Sequence, residues 1–271
     1  MEHNLAELLD LAGRAAALAA CVHRQMRSER LTVSTKNHAA DLVTEVDRES
    51  ERQLVAAIRR ERPDDAILGE EGTDISGSSG VRWILDPLDG TTNFIYGYLG
   101  HAVAVGVEID GTRALGVVHD TSRNQVYSGV IGTGANVDGE PLKIRTETAL
   151  GQALFATGFL PDSITRSLQG EILTRLLPRI RDVRRSGCPA LDFCAVAAGK
   201  LDGYFETGLG RWDIAAGAAI AEAAGALVVE LEVAGLPNPF LVVANETLAN
   251  ALIEELIKAG LQINQVTGWH K

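Results

Sequence analysis

Leu5, Leu8, Leu9, Ala12, Ala16, Ala19 and Ala20 recur with a helical period and predict one packing helix over residues 4–29. A β-like run at 32–36 and a polar link at 37–40 come next. Asp41-Leu42-Val43-Thr44-Glu45-Val46-Asp47 then opens a second helix to about residue 60, with acids and a threonine that can cap a helix start without any ligand. Arg62-Pro63-Asp64-Asp65 breaks it, and a short strand at 66–69 delivers Glu70 and Glu71. The Ser/Gly-rich segment 73–80 reads as a flexible loop before a strand at 81–85. Alternating runs at 102–109, 114–120 and 126–131, punctuated by Asp110-Gly111 and Arg123-Asn124, form an antiparallel meander.

Past this point strands and helices alternate. The pattern gives a strand at 153–158, a helix at 163–177 ended by Pro178, a strand at 180–185 and a helix at 189–198 ended by Gly199. After a hairpin-like Asp202-Gly203 come a strand at 204–206, Trp212-Asp213 and a long helix, strands at 226–232 and 241–244, and a last helix at 246–259. An antiparallel-rich first half and an α/β-like second half make the class α/β (α+β). The polar segment 134–148, with Pro141, is the candidate boundary between an N-terminal part, 1–145, and a C-terminal part, 146–271; the two can also be one domain.

Composition narrows the function classes. With 271 residues and 46% hydrophobic content the chain can bury a large core, in one domain or in two that share an interface. A formal charge of −11 argues against non-specific binding to nucleic acid or to an anionic membrane, both of which rest on Lys and Arg meeting phosphates. Cys21, Cys188 and Cys194 make no CxxC pair, which fits a reducing cytoplasm. The first nine residues carry acids and no Lys or Arg, unlike a secretory signal. The most apolar run, 214–229, holds Glu222 and falls short of the roughly 20 residues that span a bilayer. The basic run Arg175, Arg179, Arg181, Arg184 and Arg185 has no interleaved aromatics, so it reads as a solvated face or intersubunit contact. Asn245-Glu246-Thr247 is a helix cap in sequon form, and no histidine has metal-ligand spacing.

Candidate chemistry concentrates in Trp83-Ile84-Leu85-Asp86-Pro87-Leu88-Asp89-Gly90-Thr91-Thr92-Asn93. An apolar strand runs into two carboxylates three residues apart; proline stiffens the turn, glycine lets backbone approach a ligand, and hydroxyls at a helix start suit an anion. Asp-x-x-Asp-Gly also occurs in ordinary loops, so the stretch alone is a modest signal. Glu70, Asp86, Asp89 and Asp213 each lie at the edge of an expected strand or helix, where they can reach one cleft. A pair of such charges at about 4 Å repels by roughly 4 kcal/mol at an effective dielectric near 20, so the cluster needs cations or raised pKa values. Oxygen ligands of this kind suit magnesium.

These motifs, with Gly69-Glu70-Glu71-Gly72 and Trp212-Asp213-Ile214-Ala215-Ala216-Gly217 in the same order, resemble the inositol monophosphatase family, within the wider lithium-sensitive, magnesium-dependent phosphatase superfamily. The resemblance runs from Asp41 nearly to the last helix. It implies a sugar-phosphatase-like, layered αβαβα sandwich, commonly a homodimer, that hydrolyses a small phosphate monoester with two to three Mg2+ ions. Glu70, Asp86 and the Leu88 carbonyl would hold the first ion, Asp86, Asp89 and Asp213 the second, and a weaker third would sit near Glu70. Thr91 with Asp47 would activate water, with Glu70 also catalytic, and the Gly90 and Thr91 N–H groups would cradle phosphate. Glu206 matches the position that binds the alcohol's hydroxyls, alongside Asp89, Asp213 and Cys188, and Lys36 falls where the family often has a lysine.

Two departures bear on the substrate. Pro189 stands where the family usually has alanine and has no N–H to offer. Arg211, just before Trp212-Asp213, would meet a second substrate phosphate or face solvent. Both leave the alcohol open, while Thr92-Asn93-Phe94 after the glycine favours the inositol type: the resemblance implies myo-inositol monophosphate as substrate, with fructose-1,6-bisphosphate, 3′-phosphoadenosine 5′-phosphate and histidinol phosphate as alternatives. A regulatory or RNA-associated binding module on the same scaffold is the reading from another class.

Overall fold

Residues 3–26, 33–35, 42–235 and 239–267 are described by the structure, a computed structural model. Asp41 and Lys36 lie outside them. The first half contains α1 (Leu5–Met26), β1 (Val33–Thr35), β2 (Leu42–Thr44), α2 (Glu45–Glu61), β3 (Ala66–Gly69), β4 (Asp74–Ile75), β5 (Val81–Asp89), α3 (Thr91–Ile95), β6 (Ala102–Ile109), β7 (Thr112–Asp120), β8 (Gln125–Val130), β9 (Gly134–Val137) and β10 (Glu140–Pro141). The second contains β11 (Leu154–Thr157), α4 (Ser163–Leu176), β12 (Asp182–Arg184), α5 (Pro189–Ala197), β13 (Gly203–Thr207), α6 (Arg211–Ala223), β14 (Leu227–Val233), β15 (Phe240–Ala244), α7 (Glu246–Lys258) and β16 (Ile263–Thr267).

Two sheets carry the fold. The first runs β10-β9-β8-β7-β6-β5-β3-β4, antiparallel except where β3 meets β5; the second runs β12-β11-β13-β15-β14-β16, parallel only among β12, β11 and β13. Period-two alternation explains the stacking. On β6, Val103, Val105 and Val107 face α1 and α2 through Leu8, Leu11, Leu54 and Ile58, while Ala102 and Ala104 face α5 and α6. The far side of α5 and α6 meets the second sheet through Phe193, Val196 and Ala218 against Tyr204, Val228 and Val243. Leu176 and Leu248, Leu252 and Leu256 cover its outer face from α4 and α7. The five layers are therefore αβαβα.

Close approach of α6 to the first sheet needs small residues. A Cβ on Gly106 would lie 2.6 Å from the Ala215 side chain, one on Gly129 would lie 2.8 Å from Ile220 Cα, and one on Gly116 would run into the Ala216 carbonyl. Only glycine fits this floor.

Several boundaries move from the sequence expectation. The second helix begins at Glu45 because Leu42–Thr44 is a strand and Thr44, extended, is the N-cap. The expected flexible loop at 73–80 contains β4, and the polar segment after 134 carries β9 and β10 as the next two strands of the first sheet. Asp202-Gly203 is not a hairpin: Asp202 accepts from the Leu154 N–H and the Thr148 hydroxyl, and β13 leaves it parallel to β11. Trp212 and Asp213 lie inside the first turn of α6, and β16 is an additional edge strand. Among the described residues, no helix is long and apolar enough to cross a membrane.

Candidate active site

Side chains three apart on a regular strand point to opposite faces. Along β5 the pairing with β6 slips between Asp86, opposite Ala104, and Asp89, opposite Ala102, so one extra residue is accommodated. The bulge turns both aspartates to the α6 side of the sheet. Gly90 follows in the left-handed region at φ 87°, where a Cβ would sit 2.6 Å from the Gly100 carbonyl. Asn93 ties this turn across the cleft, its amide donating to the carbonyls of Gly100 (2.7 Å) and Ser186 (2.8 Å).

Helix α2 brings a second group. Asp47 closes a capping box: its Oδ2 accepts from the Thr44 N–H (2.8 Å) and hydroxyl (2.7 Å), leaving Oδ1 to accept from the Thr91 hydroxyl at 3.0 Å. The same hydroxyl lies 3.0 Å from the Leu88 carbonyl. Capping and site-building are one role here. One turn further along α2, Glu51 accepts from the Glu71 N–H (2.8 Å), the Thr73 N–H (3.1 Å) and the Thr73 hydroxyl (2.6 Å), fixing the turn that presents Glu70. Glu70 in turn lies close enough to Asp86 for its charge to raise that carboxyl.

From the second half, α6 delivers Asp213, whose Oδ2 caps the helix through the Gly210 N–H at 2.6 Å. Ligand oxygens of Asp86, Asp89 and Asp213 lie within 4.8 Å of one another. Asp89 Oδ2 is held by the Ala190 N–H (2.6 Å), at the start of α5, and by the Cys188 thiol (3.1 Å). Pro189 takes the first position of α5, so Ala190 supplies the first N–H of that helix.

Beyond the aspartates opens a cleft of about 1370 Å³. Glu206, Asp192, Cys188 and Arg185 line one wall. Glu206 accepts from the Tyr204 hydroxyl at 2.7 Å, and Asp192 from the Ser186 hydroxyl at 2.7 Å. Arg211 lies at the rim with its guanidinium 2.7 Å from both Glu108 oxygens. The rest of the basic run is spent on structure: Arg175 donates to the Ala259 carbonyl, Arg179 pairs with Glu255, Arg181 donates to the Gln152 carbonyl and Arg184 pairs with Asp182.

Burial raises the acids. Desolvation pushes Asp89 and Glu206 up to about 7 and Asp192 up to about 8. Asp86 and Asp213 rise as well, through desolvation first and their carboxylate neighbours second, and Asp47 rises mainly through desolvation. Three carboxylates with converging oxygens, Asp86 and Asp89 buried and Asp213 half-buried, with no cationic side chain bonded to them among the described residues, form an all-oxygen donor set that fits a hard divalent cation.

Of the four expected acids, Asp86, Asp89 and Asp213 bring their oxygens together and Glu70 lines the same cleft, but Glu51, Asp192 and Ser186 were not foreseen. Glu51 sits i+4 from Asp47, on the same helix face, and Asp192 is a lone acid in the apolar run of α5; either spacing was a usable signal.

The layers and the acidic cleft define an α+β protein with an oxygen-donor site between its two sheets. The family model for the inositol monophosphatase family matches residues 4–265. Inositol-1-monophosphatase SuhB of Mycobacterium tuberculosis is 40% identical over 247 residues, covering 84% of this chain and 85% of that protein. The Nus factor SuhB of Pasteurella multocida is 38% identical over 227 residues, 82% of this chain and 85% of that one. The solved structure of the extragenic suppressor protein SuhB from Bartonella henselae superposes with a TM-score of 0.86 at 29% identity, covering 93% of this chain and 99% of that one. The chain belongs to the inositol monophosphatase family. That membership supports a phosphatase acting on a phosphate monoester.

Proposed function

We propose that the protein is a magnesium-dependent phosphomonoesterase that hydrolyses myo-inositol monophosphate to inositol and phosphate. The observation that carries this is the convergence of Asp86, Asp89 and Asp213 beside the Thr91–Asp47 pair. Glu70, Asp86 and the Leu88 carbonyl would hold one ion, Asp86, Asp89 and Asp213 a second, and Glu70 a weaker third. Bound magnesium supplies charge neutralisation at phosphorus and a more acidic water.

The chain's own groups do the rest. The Thr91 hydroxyl, donating to Asp47, keeps a lone pair for the attacking water, and Asp47 takes up the proton through it. The Gly90 and Thr91 N–H groups orient the phosphate for in-line attack. Glu206 and Asp192 present acceptors to alcohol hydroxyls, an arrangement that suits a polyol better than a second phosphate. A phosphate near Arg211 would compete with Glu108 for the guanidinium. In this reading the working form is a cytoplasmic homodimer.

Phosphate release should require magnesium and fall with Asp89→Asn; activity that survives both EDTA and the substitution would sink the reading. Fructose-1,6-bisphosphate, 3′-phosphoadenosine 5′-phosphate and histidinol phosphate, assayed beside inositol phosphates, should be poorer substrates. Lithium should inhibit, and indifference at concentrations of roughly tens of millimolar, the weak-affinity regime for a monovalent ion, would count against the second-ion site. A second reading comes from relatives named Nus factor SuhB: a regulatory or RNA-associated role on this scaffold. The complete acid set argues against that role alone, and no turnover on any of these esters would favour it.

A further inference from the structure

His23, in the last turns of α1, is 1% exposed and lies directly behind the Asp86–Asp89 bulge. Its Nε2 is 2.9 Å from the Pro87 carbonyl and its Nδ1 is 3.0 Å from the Thr121 hydroxyl. A second ring joins the same hydroxyl, with His101 Nδ1 at 2.7 Å, and Phe94 packs on both imidazoles at centroid distances of 5.5 and 5.1 Å.

Donor and acceptor chemistry orders this chain of bonds. A carbonyl only accepts, so His23 Nε2 carries a proton. Burial pushes His23 down to about 3, which keeps the ring neutral and makes Nδ1 an acceptor. The Thr121 hydroxyl has two acceptors for its one proton, His23 Nδ1 at 3.0 Å and the His101 carbonyl at 3.2 Å; the shorter contact is the one to His23, and His101 Nδ1–H donates to Thr121 in turn. The bonds run in one direction, from His101 to Pro87.

The far end of that peptide holds a carboxylate. The bulge interrupts the β5–β6 ladder between Asp86 and Asp89, so side chains supply the partners there. The Leu88 N–H donates to Asp86 Oδ1 at 3.0 Å, while the Pro87 carbonyl of the same peptide unit accepts from His23. A peptide is a rigid plane, so fixing its C=O end fixes its N–H end. We propose that His23 is a positioning residue: by clamping the Pro87–Leu88 peptide from behind, it sets the orientation of the Asp86 carboxylate, which would hold the metal in the reading above. This rests on the metal reading above. It gives α1, which supplies no residue to the cleft, a role in ion affinity.

The test is Mn2+ binding, followed by the electron paramagnetic resonance of the free ion, together with melting in EDTA. Wild type is compared with His23→Gln, His23→Leu and Thr121→Val. Gln places an amide N–H near the position of Nε2 and should bind within about twofold of wild type; Leu, without a donor, should bind about tenfold more weakly, as other outer-shell losses do. Thr121→Val should fall between them, with its EDTA melting curve close to wild type. Binding by His23→Leu equal to wild type overturns the proposal, as does an equal loss in Gln and Leu. If His23→Leu does not fold, Thr121→Val decides, and an unchanged affinity there overturns it. No Mn2+ binding by wild type would fell the metal reading together with the clamp, whereas wild-type binding unaffected by these substitutions fells the clamp alone.

Discussion

A single carboxylate, Asp89, shows how three kinds of neighbour share one side chain. Its outer oxygen is fixed by the Ala190 N–H and the Cys188 thiol, and the carboxylate is crowded by Asp86 and Asp213. Without a cation it is held near 7 by burial. Magnesium binding near pH 7 should therefore release protons, and its affinity should rise with pH through about 7. Calorimetry in buffers of different ionisation enthalpy reads this directly, and a buffer-independent heat would contradict it. Thr91→Ala should lower kcat by about 10²–10⁴-fold with little change in KM, because in the proposed mechanism the hydroxyl acts on water and not on the alcohol. The placement of single residues at one site was legible in the sequence where a motif carried them: Asp86, Asp89, Thr91 and Asp213. Glu51 and His23 were not, because their partners are backbone groups of Glu71, Thr73 and Pro87 that only folding brings near.

At the scale of elements, one capping box serves two purposes. Thr44 starts α2 and also donates twice to Asp47, so Thr44→Ala should cost about 1 kcal/mol of stability and lower turnover as well. Thermal melting and kcat measured on the same preparation check both halves; a stability loss without a turnover loss would separate the cap from the site. Long patterned elements were legible: α1, α7 and the β6–β8 meander lie within a few residues of their expected limits. Misses have a common cause. β4 and β10 have two residues each, too few for alternation to register, and β16 reads Ile263-Asn264-Gln265-Val266-Thr267, a largely polar edge without the apolar signal of a buried strand. The bulge in β5 was invisible too, since the sequence showed two acids three apart and not the slip that turns them the same way.

For the whole molecule, the charged cleft and the layered packing set opposite terms. Raised carboxyls bind more protons folded than unfolded, so their stabilising share is full below about 4 and is lost as pH rises through about 7. Magnesium held among them, as proposed, would remove that loss. The difference in melting temperature between magnesium and EDTA should therefore widen from pH 5.5 to pH 8; a constant gap would contradict the repulsion account. Packing makes a separate demand at Gly116, whose missing Cβ admits the Ala216 backbone. Gly116→Ala should destabilise by about 3 kcal/mol, since backbone cannot give way as a side chain can, and denaturant titration reads that loss. The same glycine floor governs how the chain can be made. Residues 102–130 form the part of the first sheet whose glycine side is covered by α6, residues 211–223, which leave the ribosome some eighty residues later. At a few to twenty residues per second that face stays bare for several seconds of synthesis. A fragment ending near residue 145 should therefore be recovered as aggregate or bound to a chaperone, and the full chain should acquire its protease resistance only after α6 has emerged.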